Sequence, residues 1–197
     1  MEAELAYALA GFDVVIVPGL DGSPPVHWQS RWETVLRARG VNVHRAVQHD
    51  WARPHYPDWK HGLLRTMRHA ARPVIMVAHS LGAVLVARLA QDQELAGVAG
   101  AFLVAPADID HHDGPDVARI TGFSPLPTAP LFFPAMLVAS RNDEWLGVDR
   151  AHALARQWNA TVVDAGSLGH IGNTSNVGPW HAGMAALAGF ARTLPRR

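Results

Sequence analysis

The sequence predicts an α/β fold, with a mostly parallel sheet of about six strands covered by helices on both faces. Six apolar, largely β-branched runs alternate with segments whose apolar residues recur at helical spacing. Such alternation is typical of a parallel sheet, and the nearly continuous apolar runs fit strands that are buried on both sides. With 197 residues, 49% of them hydrophobic and 17% charged, the chain supports one domain over residues 1–197.

The β-branched content of the apolar runs favours strands. The predicted strands are Val14–Val17, Val41–Val47, Val74–His79, Ala101–Ala105, Met136–Ser140 and Thr161–Val163. Helices are predicted at roughly 26–39, 57–71, 82–92, 148–158 and 179–193. The Pro-rich stretch Thr121–Pro134 cannot sustain a regular helix. We expect it to form an ordered surface loop near the mouth of a pocket.

Charge and cysteine content exclude several classes of function. The 17 basic and 17 acidic residues cancel, so nothing favours binding to nucleic acid or to an anionic membrane surface. The chain has no cysteine, which excludes disulfides, thiolate metal sites and cysteine nucleophiles. Residues 1–10 carry acidic residues where a signal peptide would carry basic ones, and no apolar run approaches membrane-spanning length. A cytoplasmic protein is therefore expected.

The segment Ala78-His79-Ser80-Leu81-Gly82 lies where an apolar strand meets an Ala- and Leu-rich helix. A serine at such a junction, with small residues two before and two after it, is typical of a nucleophile elbow. Alanine replaces the usual first glycine, which the turn tolerates if the backbone there does not need a positive φ. The alternative is a serine that caps the following helix.

An acid and a histidine follow later strands, in the chain order of an α/β-hydrolase triad. Asp143 comes shortly after the strand that ends at Ser140, and His170 follows the strand that includes Val163. Because the carboxyl ends of parallel strands meet at one edge of the sheet, we expect both side chains near Ser80. Asp108 and Asp110, which follow an earlier strand, are the alternative acids.

The chemistry also requires donors for a developing oxyanion, and backbone N–H groups usually supply them. The N–H of Leu81, directly after the serine, is one candidate, and the N–H of Leu20 in the loop after the first strand is the other. A phosphate cradle is the competing interpretation of Gly19–Ser23. That segment has neither the Walker lysine nor the dinucleotide glycine spacing.

Seven tryptophans and twelve histidines leave core and pocket roles open. The candidate pocket residues are His27, Trp28, His79 and Trp145, although a buried indole more often belongs to the core. His111-His112-Asp113, or His55 with His61, could hold a metal, but adjacent histidines without a third ligand are usually solvated. We expect neither a metal nor another cofactor.

The motifs together resemble the small serine hydrolases of the retinoblastoma-binding protein nine and YdeN type. The matching segments are Val17–Ser23, His27–Gln29, Gln48–Trp51 with Pro54, Ala78–Gly82, Ser140–Asp143 and Gly169–Ile171. The resemblance runs through nearly the whole chain. It implies a compact α/β-hydrolase without a large cap domain, with Ser80 as nucleophile, Asp143 as acid and His170 as base. It also leaves a protein partner open.

Two classes of function follow. The first is a serine hydrolase that forms an acyl-enzyme on a small ester, most plausibly a short-chain carboxylester, since no long insertion is available for a lipase lid. An amidase or peptidase would use the same triad, and an acyltransferase would differ only in excluding water. The second is a binding module that keeps the fold with little or no turnover. The complete set of candidate triad residues favours the hydrolase.

Overall fold

The computed structural model describes residues 1–195 and contains the predicted parallel sheet. Its six strands lie in the order β2-β1-β3-β4-β5-β6, and every neighbouring pair is parallel. The strands are β1 Asp13–Val17, β2 Asn42–Arg45, β3 Val74–His79, β4 Val98–Val104, β5 Ala135–Ala139 and β6 Ala160–Asp164. The predicted α/β fold is therefore confirmed.

Seven α-helices accompany the sheet within residues 1–195. They are α1 Glu2–Ala8, α2 Trp28–Ala38, α3 Tyr56–Met67, α4 Leu81–Gln91, α5 Val117–Ile120, α6 Val148–Trp158 and α7 His181–Thr193. The five predicted helices are present, with ends shifted by a few residues. Helices α1 and α5 were not predicted because each is short. Helix α1 is held by packing against α7 and by an ion pair of 2.7 Å between Glu4 and Arg192, which are separated by almost the whole chain.

The sheet separates two apolar layers. Helices α1, α2 and α7 cover one face, where Trp28, Trp32 and Met184 are buried. Helices α3, α4 and α6 cover the other face, where Trp59 and Trp158 are buried. All residues of β1 and β3 are buried, as expected for central strands covered on both faces.

The chain reverses its direction of progress across the sheet between β1 and β3. It passes from β1 to the edge strand β2 and returns to β3 on the other side of β1. Ligands of open α/β sheets bind at the carboxyl ends of the strands beside such a reversal. Here that position is shared by the loop after Val17 and by the junction after His79.

The expectation that the Pro-rich stretch lies near the mouth of a pocket was wrong for residues 127–134. The indole N–H of Trp158, at the end of α6, donates to the carbonyl of Pro127, and the N–H of Leu131 donates to the carbonyl of Trp158. Residues 127–134 therefore lie at the amino ends of the strands and do not border a pocket at the opposite edge. Across residues 1–195, no strand connection forms a separate cap domain, and no helix is long and apolar enough to cross a membrane.

Candidate active site

Ser80 occupies a sharp turn between β3 and α4. Its φ of 55° and ψ of −125° are strained for a residue with a side chain, as at a nucleophile elbow. Ser80 stands at the N-cap position of α4, but its side chain makes no capping hydrogen bond, which removes the alternative role as a helix cap. A methyl group at Gly82 would overlap the carbonyl oxygens of Val17 and Pro18, so only glycine lets α4 lie this close to β1.

The structure brings Ser80, His170 and Asp143 together in one hydrogen-bonded chain. The Ser80 Oγ lies 2.7 Å from Nε2 of His170, and Nδ1 of His170 lies 2.9 Å from Oδ1 of Asp143. A carboxylate only accepts hydrogen bonds, so Nδ1 carries the proton and Nε2 is left to accept the hydroxyl proton of Ser80. Ser80 is 6% exposed and the Asp143 side chain is fully buried.

Asp143 is held in place by a second hydrogen bond to the same oxygen. The backbone N–H of Trp145 donates to Oδ1 over 2.8 Å. Oδ2 is buried and has no hydrogen-bond partner among residues 1–195. The alternative acids lie in other pairings: Asp108 accepts two hydrogen bonds from Arg150, at 2.7 and 3.0 Å, and Asp110 accepts one from the N–H of Leu126.

The two candidate oxyanion donors lie beside the nucleophile. Leu81 is the first residue of α4, so its N–H has no acceptor within the helix. A Cβ placed on Gly19 would lie 2.7 Å from the Cβ of Ser80, which brings the backbone leading to Leu20 against the elbow. The fully buried Gln29 fixes this arrangement, because its amide donates to the carbonyl of Val17, at the end of β1, and to that of Val77 in β3.

Two polar side chains before the acid brace the loop that carries the histidine. The Oγ of Ser140 accepts from the N–H of Leu168 at 2.9 Å, and Oδ1 of Asn142 accepts from the N–H of Gly169 at 2.7 Å. These contacts tie the acid loop to the histidine loop. Sequence reasoning did not identify this role for Ser140 and Asn142, because no local pattern indicates which distant N–H groups they meet.

Comparison with known families gives the relationship directly. The family described as serine hydrolase matches residues 14–189, which is most of the chain. The chain belongs to the serine hydrolase family. No curated protein matches the sequence significantly.

One solved structure agrees with this membership, and two more distant ones share the fold. A protein described as a YdeN-like hydrolase from Pectobacterium atrosepticum is 33% identical, covers 99% of this chain and 100% of its own, and has a TM-score of 0.83. The ydeN gene product of B. subtilis is 19% identical over 90% of this chain and 97% of its own, with a TM-score of 0.73. Est1E from Butyrivibrio proteoclasticus, with ferulic acid bound, is 15% identical over 92% and 88%, with a TM-score of 0.69.

Three of the candidate pocket residues of this serine hydrolase are buried behind the histidine loop. Trp28 is 1% exposed and its indole N–H donates to the carbonyl of Ile171 at 2.9 Å, so it supports the loop and does not line a pocket. His79 and His27 are 5% and 3% exposed. Burial lowers the pKa of His79 well below its usual range, and burial, with the charge of Arg45 nearby, lowers the pKa of His27 to about 4.

Trp145 is the partly exposed member of the candidate pocket set. Its ring stacks on His112 with centroids 3.7 Å apart and lies 5.5 Å from the His170 ring. Two of the candidate metal ligands are paired with carboxylates: His111 with Asp108 and His55 with Asp58. Among residues 1–195, no group of three or more His, Asp or Glu side chains converges as a metal site requires.

Proposed function

We propose that this serine hydrolase cleaves small carboxylesters through Ser80, His170 and Asp143. The observation that carries the proposal is the continuous chain of hydrogen bonds, at 2.7 and 2.9 Å, from the Ser80 hydroxyl to the buried Asp143 carboxylate. A serine hydroxyl is a poor nucleophile at neutral pH and needs a base within hydrogen-bond reach. The Nε2 of His170 is such a base, with its tautomer set by Asp143.

The reaction proceeds in two halves. The Ser80 Oγ attacks the ester carbonyl carbon as His170 takes the hydroxyl proton, and the carbonyl π electrons move to oxygen. The tetrahedral intermediate then collapses: the bond to the alkoxy group breaks, His170 returns the proton to it as an alcohol, and an acyl-enzyme remains. Water attacks the acyl-enzyme in the same way, with His170 as base, and releases the carboxylic acid and the free serine.

The charge on the tetrahedral oxygen meets the N–H groups of Leu20 and Leu81. Both are backbone donors held by packed elements, so they need no rearrangement as the charge develops. Asp143 stabilises the His170 imidazolium that forms at the same moment. The removal of one donor from such a pair typically costs about 10²–10³ in kcat, and Gly19 keeps the first donor close to Ser80.

The surroundings of Ser80 favour a small acyl group. Trp145 lies beside His170, and Leu20 follows Gly19, which touches Ser80; both side chains are partly exposed and offer a short apolar surface. A cavity of about 580 Å³ lies at the amino ends of β5 and β6, lined by residues 131–136 and Phe190, and so does not extend the site. Two apolar side chains cover a short acyl chain but leave a long one in water.

Covalent labelling and an ester series test the proposal together. A fluorophosphonate reacts with an activated serine, so intact-mass spectrometry of wild type should show one adduct that Ser80→Ala abolishes. We expect hydrolysis of p-nitrophenyl acetate and butyrate to exceed that of the octanoate. The p-nitroanilide with the same acyl group separates an amidase from an esterase. Folded wild type that takes no adduct would contradict the proposal and favour the binding module.

A further inference from the structure

Two buried rings hold consecutive backbone carbonyls in the loop that carries His170. The Nε2–H of His79 donates to the carbonyl of His170 at 2.9 Å, and the indole N–H of Trp28 donates to that of Ile171 at the same distance. The geometry points to His79 as a positioning residue. By binding the main chain of His170, it fixes the distance between the His170 ring and the Ser80 hydroxyl. This inference rests on the proposed function, because His170 is the base proposed there.

His79 and Ser80 are neighbours in the chain, and both reach His170. Ser80 contacts the ring at 2.7 Å, whereas His79 contacts the main chain at 2.9 Å. The ring of His79 also fills the space next to the loop, because its Cε1 would lie 3.4 Å from a Cβ placed on Gly172. Two consecutive residues at the end of β3 therefore contact His170, one at its ring and the other at its main chain.

The held loop contains a strained residue. Ile171 is β-branched and fully buried, yet its φ is 52°, in the left-handed region. Such a conformation is unfavourable for a β-branched residue and persists only where the surroundings impose it. The carbonyls on either side of the Ile171 Cα are the ones that His79 and Trp28 bind, and the two rings meet edge to face at 6.1 Å. Without these donors the strain favours relaxation of the loop, which moves the His170 ring away from Ser80.

Only one form of His79 can make this contact. A carbonyl accepts hydrogen bonds and never donates, so the proton must be on Nε2 of His79. Burial keeps the ring neutral, since it lowers the pKa of His79 well below its usual range. The neighbouring His27 is neutral as well, and its ring lies 5.2 Å away. The His79 ring is therefore a fixed donor during the reaction and takes no part in proton transfer.

The test distinguishes the hydrogen-bond donor of the His79 side chain from the volume that the side chain fills. His79→Leu keeps an apolar side chain of similar size and removes the donor, whereas His79→Gln retains an N–H at the same number of bonds from Cβ. We expect His79→Leu to lower kcat and the rate of fluorophosphonate labelling by about 10- to 100-fold, as a small displacement of a catalytic base does, with KM changed much less. His79→Gln should recover most of the loss. His69→Leu, at an exposed histidine, is the matched control.

Each outcome decides the assignment. A folded His79→Leu with rates within about 2-fold of wild type, or a His79→Gln as slow as the leucine variant, overturns it. Long-range ¹H–¹⁵N NMR of histidine-labelled wild type gives a readout independent of turnover and of variant folding, and a proton on Nδ1 of His79 would also overturn it. Wild type that takes no label contradicts the proposed function and removes the role of His79 with it, whereas a labelled wild type with equally labelled variants contradicts His79 alone.

Discussion

Replacement of Asp143 by asparagine separates the charge of the acid from its control of the His170 tautomer. Oδ1 accepts hydrogen bonds from both Nδ1 of His170 and the N–H of Trp145, whereas Oδ2 has no partner among residues 1–195. An amide has a single oxygen. If its nitrogen took the place of Oδ1, it would face the N–H of Trp145, a donor against a donor. In Asp143→Asn we therefore expect the amide oxygen to replace Oδ1 and the correct tautomer to be kept.

The expected loss is correspondingly small. A wrong tautomer costs about 10⁴ in kcat in triads of this kind. Here the change replaces the charge-assisted hydrogen bond to His170, worth about 1.5–3 kcal/mol, by a neutral one, so kcat should fall by no more than about 150-fold. The amide nitrogen takes the buried, unpartnered position of Oδ2, so the free energy of unfolding should also fall by about 1–3 kcal/mol.

The assay is the kcat of p-nitrophenyl acetate hydrolysis, with urea unfolding measured in parallel. Asp108→Asn is the control, because it removes another buried aspartate charge at a residue paired with Arg150. It should lower stability while kcat stays within about 2-fold of wild type. A fall near 10⁴ in Asp143→Asn would refute the argument that Trp145 selects the amide orientation. A comparable loss in Asp108→Asn would refute the assignment of the acid.

Three further changes have defined outcomes. Gly82→Ala places a methyl group against two carbonyl oxygens, so we expect a loss of about 1–3 kcal/mol in unfolding free energy and a lower kcat; an unchanged urea midpoint would refute the packing argument. Asn142→Ala removes the acceptor of the Gly169 N–H and should reduce kcat with KM nearly unchanged, measured on the same ester. The pKa of His27 is about 4 in the folded protein, against an ordinary value of 6.5. The unfolded chain thus binds this proton first as the pH falls, and stability drops between about pH 6.5 and pH 4 by about 3 kcal/mol. His27→Asn keeps a capping side chain and should remove that part of the loss, as urea titrations at pH 7 and pH 4.5 would show.

The sequence predicted the central strands well because they are buried on both faces. Apolar runs such as those of β1 and β3 show no alternation with polar residues, as expected for strands covered on both faces. Helix α1 escaped prediction because seven residues carry too little periodicity, and its stability comes from packing on α7. Local pattern therefore predicts the elements whose burial is uniform along their length, and not those stabilised by a distant partner.

The same distinction between local pattern and distant contacts applies to the residues of the candidate site. Ser80, Asp143 and His170 could be proposed because each follows a predicted strand, and parallel topology brings those ends together. The hydrogen bond that supports the His170 loop could not be predicted, because it joins Trp28 to Ile171 across 143 residues of sequence. Trp28 is buried, so this candidate pocket residue supports the loop and does not line a pocket.

The two apolar layers carry different parts of the site. Leu81, beside the nucleophile, belongs to the layer of α3, α4 and α6, whereas Ile171, beside the base, belongs to the layer of α1, α2 and α7. Local opening of the second layer would disengage the histidine while the serine elbow stays intact. Loss of activity on heating should then precede loss of the sheet, and amide hydrogen exchange in α1 and α7 should follow the same temperature dependence. Catalytic activity would thus report on the local stability of the layer formed by α1, α2 and α7.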